Sequence, residues 1–212
     1  MHRLLQGIHR FQREVFSSHE RLFQRLVAGQ QPEALFVTCS DARINPDLLM
    51  QARPGDLFVL RNAGNIIPDY GAGHGGEAAT IEFALEVLGV RDIIVCGHSH
   101  CGAMQALLAP ERLATLPATA AWLQLDEPAR RLMAERYADL PQAARLNVAV
   151  QENVLLQLES LRTHPAAARR LEAGSLNLHA WVYKFETGEV FSFDPQQEQF
   201  LPLPKAGYQP SV

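Results

Sequence analysis

A chain of 212 residues is long enough to bury a substantial core in one domain, and 47% hydrophobic with 20% charged residues is the balance of an ordinary globular protein. Lysine and arginine total 19 against 23 acidic residues, a net charge of −4 with no basic block, which argues against nucleic acid or an anionic membrane surface as a partner. No apolar run approaches a membrane span, and the start, MHRLLQGIHRFQREVF, lacks the continuous apolar stretch of a signal peptide, so a cytoplasmic location is expected.

Residues 2–28 carry helical spacing, with Leu4, Leu5, Ile8, Phe11, Val15, Leu22, Phe23 and Leu26 set among charges, and Ser17 and Ser18 mark a break. ALFVTC (34–39) reads as a short buried strand, and Asn45-Pro46 opens a short helix with proline at its first position. A second strand is expected at DLFVLR (56–61). A glycine-rich connection then leads into a helix beginning near Glu77. RDIIVCGH (91–98) is a third strand, helix resumes near Cys101, and residues 119–173 look helical. Residues 176–194 read as two strands joined by a turn at Thr187-Gly188. Apolar strands alternating with helices predict a single α/β domain with a central, mostly parallel sheet flanked by helices. An N-terminal helical arm (1–30) precedes an α/β core (33–194), followed by a tail (195–212).

The three cysteines, Cys39, Cys96 and Cys101, are too few and too odd in number for a disulfide framework. Metal binding, thiol chemistry or plain burial remain. Cys39 ends one predicted strand and His98 follows another, while GHSHCGAM (97–104) spaces His98 and Cys101 three residues apart, so that one turn brings them to one side. His100, adjacent to Cys101, tends to point away from it. Ligands of an open parallel sheet collect beyond the carboxyl ends of its strands, where Cys39, His98 and Cys101 can converge. Two thiolates and an imidazole suit zinc, and three protein ligands leave a fourth position for water, as in catalytic rather than structural sites. Cys96, inside its strand, reads as a small buried hydrophobe. Taken singly, each of these residues reads as a core cysteine or a hydrogen-bonded histidine; their joint placement at strand ends favours the metal. GAGHGG (71–76) matches a dinucleotide fingerprint in letters only, because no strand runs directly into it.

CSDAR (39–43) followed by GHSHCG (97–102) resembles the signature pair of β-class carbonic anhydrases, and LFVLRNAGNIIP (57–68) and LHAWVYKFETGEV (178–190) are similar to further stretches of that family. The resemblance extends over residues 33–194 and is greatest to the bacterial branch that includes the enzyme partnering cyanase. It implies one Zn2+ per chain on Cys39, His98 and Cys101, with Asp41 and Arg43 as a catalytic dyad. The implied reaction is reversible hydration of carbon dioxide to bicarbonate and a proton by zinc-bound hydroxide. Paired to Arg43, Asp41 would be held off the metal and left as an acceptor for the zinc-bound water. Carbonic anhydrase is itself the reference case for zinc lowering the pKa of water, to about 7 in a three-histidine site; two thiolates should make the water less acidic than that. His74, His100 and His179 stand as undistinguished guesses for a proton shuttle.

The resemblance also implies a homodimer or homotetramer, with the N-terminal arm wrapped on a second subunit and the active site near the dimer interface. One branch of the family closes at low pH when bicarbonate occupies a pocket built from a tryptophan, an arginine and a tyrosine. Arg61 and Tyr183 match, but Phe36 stands at the tryptophan position and lacks the indole N–H, so an open site with the Asp41–Arg43 pair intact is expected. Two rival readings differ in class. One is a thiol enzyme with Cys39 as nucleophile; the other is a zinc-binding protein without catalysis, which would need neither Asp41 nor Arg43.

Overall fold

The computed structural model describes residues 1–72 and 75–203. Two units separate along the chain, Met1–Gln31 and the remainder from Pro32 onward. The first holds α1 (His2–Arg10), which continues through a wider turn at Phe11–Val15 and a last stretch at Phe16–Ser18, and then α2 (Glu20–Val27). The break falls at His19, just after Ser18, whose hydroxyl donates back to the Val15 carbonyl at 2.8 Å. Serine competes in this way with the helical hydrogen-bond ladder and favours helix ends. Phe16 and Phe23 stack with ring centroids 5.2 Å apart, and Phe11 meets both edge-on.

Among the described residues the second unit is built on six strands: β1 (Ala34–Cys39), β2 (Leu57–Asn62), β3 (Asp92–His98), β4 (Asn177–Tyr183), β5 (Val190–Asp194) and β6 (Gln199–Pro202). They form one sheet in the order β2-β1-β3-β4-β5-β6. β1 to β4 run parallel, and β5 and β6 close the sheet antiparallel. β1 is buried along its whole length, as a central strand covered on both faces must be, and this is why its sequence is apolar but for Thr38, whose hydroxyl donates to the Cys96 carbonyl at 2.7 Å. Leu35 and Val37 face the larger core with Val95, Val154 and Ala180; Ala34 and Phe36 face a smaller one with Ile44, Ile94 and Cys96.

The helices of this unit are α3 (Pro46–Met50), α4 (Gly76–Glu82), α5 (Gly102–Leu108), α6 (Pro117–Leu123), α7 (Glu127–Arg136), α8 (Gln142–Thr163) and α9 (Pro165–Glu172). Asn45 caps α3, its side-chain oxygen accepting the Leu48 N–H at 3.1 Å, and Pro46 supplies the first helical position. α8 lies directly on β3: a Cβ on Gly97 would stand 2.8 Å from Val154 and 2.9 Å from Val150, so the approach requires glycine there.

Three features depart from the sequence expectations. The second strand is displaced by one residue, to Leu57–Asn62. The helical stretch over 119–173 is four helices and a short turn at Gln124–Asp126, restarted at or near Pro117, Pro128, Pro141 and Pro165, because proline disrupts a helix interior but suits a first turn. The stretch read as a tail carries β6, whose residues bond to β5 from Phe191↔Pro202 to Asp194↔Gln199. Among the described residues no helix is long and apolar enough to cross a membrane. His74 and residues 204–212 lie outside the described residues.

Candidate metal centre

β1 and β3 are parallel neighbours, and Cys39 and His98 are their last residues, so both side chains emerge at the same edge of the sheet. Beyond His98 the chain turns tightly through His100, at φ 54°, and places Cys101 at the cap before α5. The three-residue spacing of His98 and Cys101 is thus realised by a turn and not by a helix face. The ligand atoms of Cys39, His98 and Cys101 all lie within 4.8 Å of one another, and all three residues are buried.

The imidazole is oriented for a metal. His98 Nδ1 sits 2.8 Å from the Ser99 carbonyl, which can only accept, so Nδ1 carries the proton. Nε2 is then a bare lone pair, buried and without a hydrogen-bond partner among the described residues. A buried acceptor left in that condition is unfavourable unless a ligand takes it, and a backbone carbonyl holding the far nitrogen is the usual second contact of a metal-binding histidine. The thiols point to a cation as well. Cys101 donates to Cys39; this bond, with further bonds from the Gly64 N–H and the Asp41 backbone and against the opposing effect of burial, lowers the Cys39 thiol well below the ordinary thiol range. Cys101 is pushed up by its bond to Cys39, by burial and by the charge of that thiolate. The pair shares one proton that a dication can replace, and the donor set of two sulfurs and one nitrogen fits zinc. Cys96 belongs to the opposite core, and burial pushes its thiol up to about 12.

Asp41 and Arg43 are joined twice over: Nε donates to Oδ1 at 2.9 Å and Nη2 to Oδ2 at 2.7 Å, while the Arg43 backbone N–H adds a third bond to Oδ1 at 3.0 Å. These bonds hold the Asp41 carboxyl well below the usual carboxylate range. Its Oδ2 lies 3.9 Å from His98 Nε2, so the carboxylate borders the space the three ligands enclose. Arg43 is itself fixed: Nη2 donates to the His100 carbonyl at 3.1 Å, and the guanidinium lies 4.7 Å from the centre of the Phe185 ring. The same ring is 5.0 Å from the His98 ring.

Two contributors escape the sequence reading, and a third, Arg61, does more than that reading gave it. Phe185, inside LHAWVYKFETGEV, packs on both Arg43 and His98. Gly64 donates its N–H to Cys39 Sγ at 3.4 Å from a left-handed position, φ +85°, where a Cβ would stand 3.1 Å from Ala103. Arg61 spends its guanidinium on the carbonyls of Cys39, Asp41 and Ile44, at 2.8–3.1 Å, and so stitches down the loop that carries the dyad. Its signal is an arginine next to last in a strand beside β1. Of the histidines considered as shuttles, His100 pairs with Glu186 at 2.6 Å, and His179 pairs with Asp92 at 2.8 Å, opposite Ile94 and so in the first half of its strand, away from the metal edge. Phe36 is fully buried and meets Trp181 edge-on.

A family model described as carbonic anhydrase matches residues 34–190. The chain is 49% identical over 202 residues to a carbonic anhydrase of Synechocystis sp., covering 95% of this chain and 74% of that protein. It is also 49% identical over 203 residues to a carbonic anhydrase of Pseudomonas aeruginosa, covering 96% of this chain and 92% of the relative. Among solved structures, the β-carbonic anhydrase CcaA superposes with a TM-score of 0.94 at 48% identity, covering 96% of this chain and 99% of that one.

Proposed function

The chain belongs to the β-class carbonic anhydrases, and from that membership we propose that it hydrates carbon dioxide reversibly to bicarbonate and a proton, with one zinc ion on Cys39, His98 and Cys101 and with Asp41 and Arg43 as the catalytic pair. The observation that carries this reading is the meeting of two thiols and an unpartnered imidazole nitrogen beside a carboxylate held two-fold by an arginine. Zinc bound there supplies a Lewis acid that makes hydroxide available near neutrality, the property for which carbonic anhydrase is the reference case.

The chain's own residues do the positioning. Arg43 occupies both Asp41 oxygens and keeps the carboxylate from turning in as a ligand. Oδ1 accepts twice and is filled, whereas Oδ2 accepts once and retains a lone pair, so through Oδ2 Asp41 can accept a hydrogen bond from the attacking oxygen and orient it. Because Asp41 stays ionised far below neutral pH, loss of activity toward mild acid does not come from protonating the pair. Phe185 and the His100 carbonyl hold Arg43 in place from its other side.

The working form is a homodimer or a larger homo-oligomer. The support is the first unit, where Leu4, Leu5, Ile8, Phe11, Val15 and Phe16 are all exposed on the single chain, more apolar surface than a free helical segment ordinarily leaves to water. A cytoplasmic location fits three free, buried cysteines, which suit a reducing compartment.

Stopped-flow carbon dioxide hydration, before and after treatment with a strong chelator, tests the proposal. Activity lost on stripping and regained with zinc supports it. Activity that survives stripping would point to Cys39 as a metal-independent nucleophile, and zinc binding without hydration would leave a binding protein.

A further inference from the structure

Behind the metal centre the molecule buries three polar side chains in a row: Asp126, Gln157 and Asn153 are each no more than 2% exposed. Gln157 Nε2 donates to Asp126 Oδ1 at 3.1 Å and to Asn153 Oδ1 at 2.8 Å, while its Oε1 accepts the Ile67 N–H at 2.6 Å. Asn153 Nδ2 donates onward to the Gly64 carbonyl at 2.9 Å. The sense of every bond is forced. The Ile67 N–H can only donate, so Gln157 must turn its oxygen there and its nitrogen toward Asn153. Asn153 must then present its oxygen to Gln157 and its nitrogen to Gly64, whose carbonyl can only accept. Asp126 takes the second Nε2 hydrogen and locks the amide against flipping.

All of this converges on one turn. Asn62 closes it by bonding Ile66 in both directions, at 2.8 and 2.9 Å, and Trp122 donates to the Ala63 carbonyl at 2.8 Å. Gly64 and Asn65 are consecutive left-handed residues, φ +85° and 52°. What that turn delivers to the centre is the Gly64 N–H on Cys39 Sγ. A hydrogen bond to a ligating sulfur withdraws charge from it, which makes the bound metal a stronger Lewis acid. Three buried polar groups are an expensive way to fill the face of a helix that apolar side chains would fill at least as well, which is why a role beyond packing is indicated.

We infer that Asn153 and Gln157, anchored by Asp126, are positioning residues for the metal centre: they hold the Gly64 N–H on the Cys39 sulfur and so set how much charge that ligand gives the metal. This rests on the reading that Cys39, His98 and Cys101 hold the metal. Asn153→Leu removes the bond to Gly64, and Gln157→Met removes the bonds to Asn153 and Ile67. Leu161→Ala, a fully buried position on the same helix with no part in the chain of bonds, is the control for lost packing.

The test is the absorption spectrum of the full chain loaded with cobalt(II), together with zinc affinity by chelator competition. In the network variants the sulfur-to-cobalt charge-transfer band moves to longer wavelength, zinc affinity falls ~10-fold or more, and the midpoint of the pH–hydration profile rises. The Leu161→Ala protein keeps the wild-type band and midpoint. If one network variant fails to fold, the other carries the comparison, and Asn153→Ala, which removes both the donor to Gly64 and the acceptor for Gln157, serves as a third. An unshifted band in a folded, cobalt-loaded network variant overturns the inference. A shift of the same size in Leu161→Ala does so too, because it assigns the effect to packing. A wild-type protein showing no sulfur-to-cobalt band overturns the underlying metal reading instead.

Discussion

In the proposed mechanism Asp41 and Arg43 divide one task between them, and the two halves fail differently. Asp41→Asn removes the charge but keeps the shape; hydration should fall ~10–100-fold while the metal stays bound, because Asp41 does not ligate it. Zinc content measured beside the hydration rate checks this, and an unchanged rate in a zinc-loaded variant removes Asp41 from the mechanism. Arg43→Ala removes both guanidinium bonds from the carboxylate, whose Oδ2 borders His98 Nε2, and should lose activity by letting Asp41 close on the metal. The cysteines divide as sharply. Cys101→Ser is expected to abolish stoichiometric zinc, and Cys96→Ser to leave it intact, since Cys96 packs in the opposite core. Metal analysis of the two purified variants decides; equal loss in both contradicts the ligand assignment. The metal triad is legible at this scale because Cys39 and His98 sit where apolar runs stop and Cys101 follows His98 by three residues. The Gly64 bond to Cys39 is not, because it spans 25 residues and depends on two left-handed residues that no periodicity marks.

At the scale of elements, β3 is the frame of the site, since it ends in His98 and bears α8 on Gly97. Gly97→Ala forces a methyl group against Val150 and Val154, and the overpacking should cost ~1–3 kcal/mol. Urea unfolding midpoints check the loss, and zinc affinity should drop with it, because the strand that shifts carries His98. An unchanged midpoint contradicts the tight approach of strand and helix. β1 and β3 are readable from sequence because buried central strands are largely apolar runs, and α3 because Asn45-Pro46 writes both its cap and its first turn. β6 is not readable: QFLP is short, only partly buried and ends in proline, and it becomes a strand through pairing with β5. The prolines that divide residues 117–172 are visible signals that the helical periodicity around them masks.

At the scale of the whole molecule, the buried Asp126 leaves a signature in stability against pH. Burial raises its pKa to about 7, above the ordinary carboxyl value it regains on unfolding, so between those values the native state holds a proton that the unfolded chain has released. Its contribution is therefore fully present below about pH 4 and is lost as pH rises through about 7, by an amount of order ~4 kcal/mol at most. Unfolding midpoints at pH 5 and pH 8 should differ less in Asp126→Asn than in the wild type; an equal difference contradicts burial of an ionisable group there.

The central claim is that one metal ion on Cys39, His98 and Cys101 makes this chain a carbon dioxide hydratase, and titrating the metal-free protein with zinc while recording hydration by stopped flow tests it most directly. Activity should rise from the buffer background in proportion to added zinc and level off at about one equivalent per chain, the capacity of a single three-ligand site. Full activity before any zinc is added, or none at saturation in a folded protein, would contradict it.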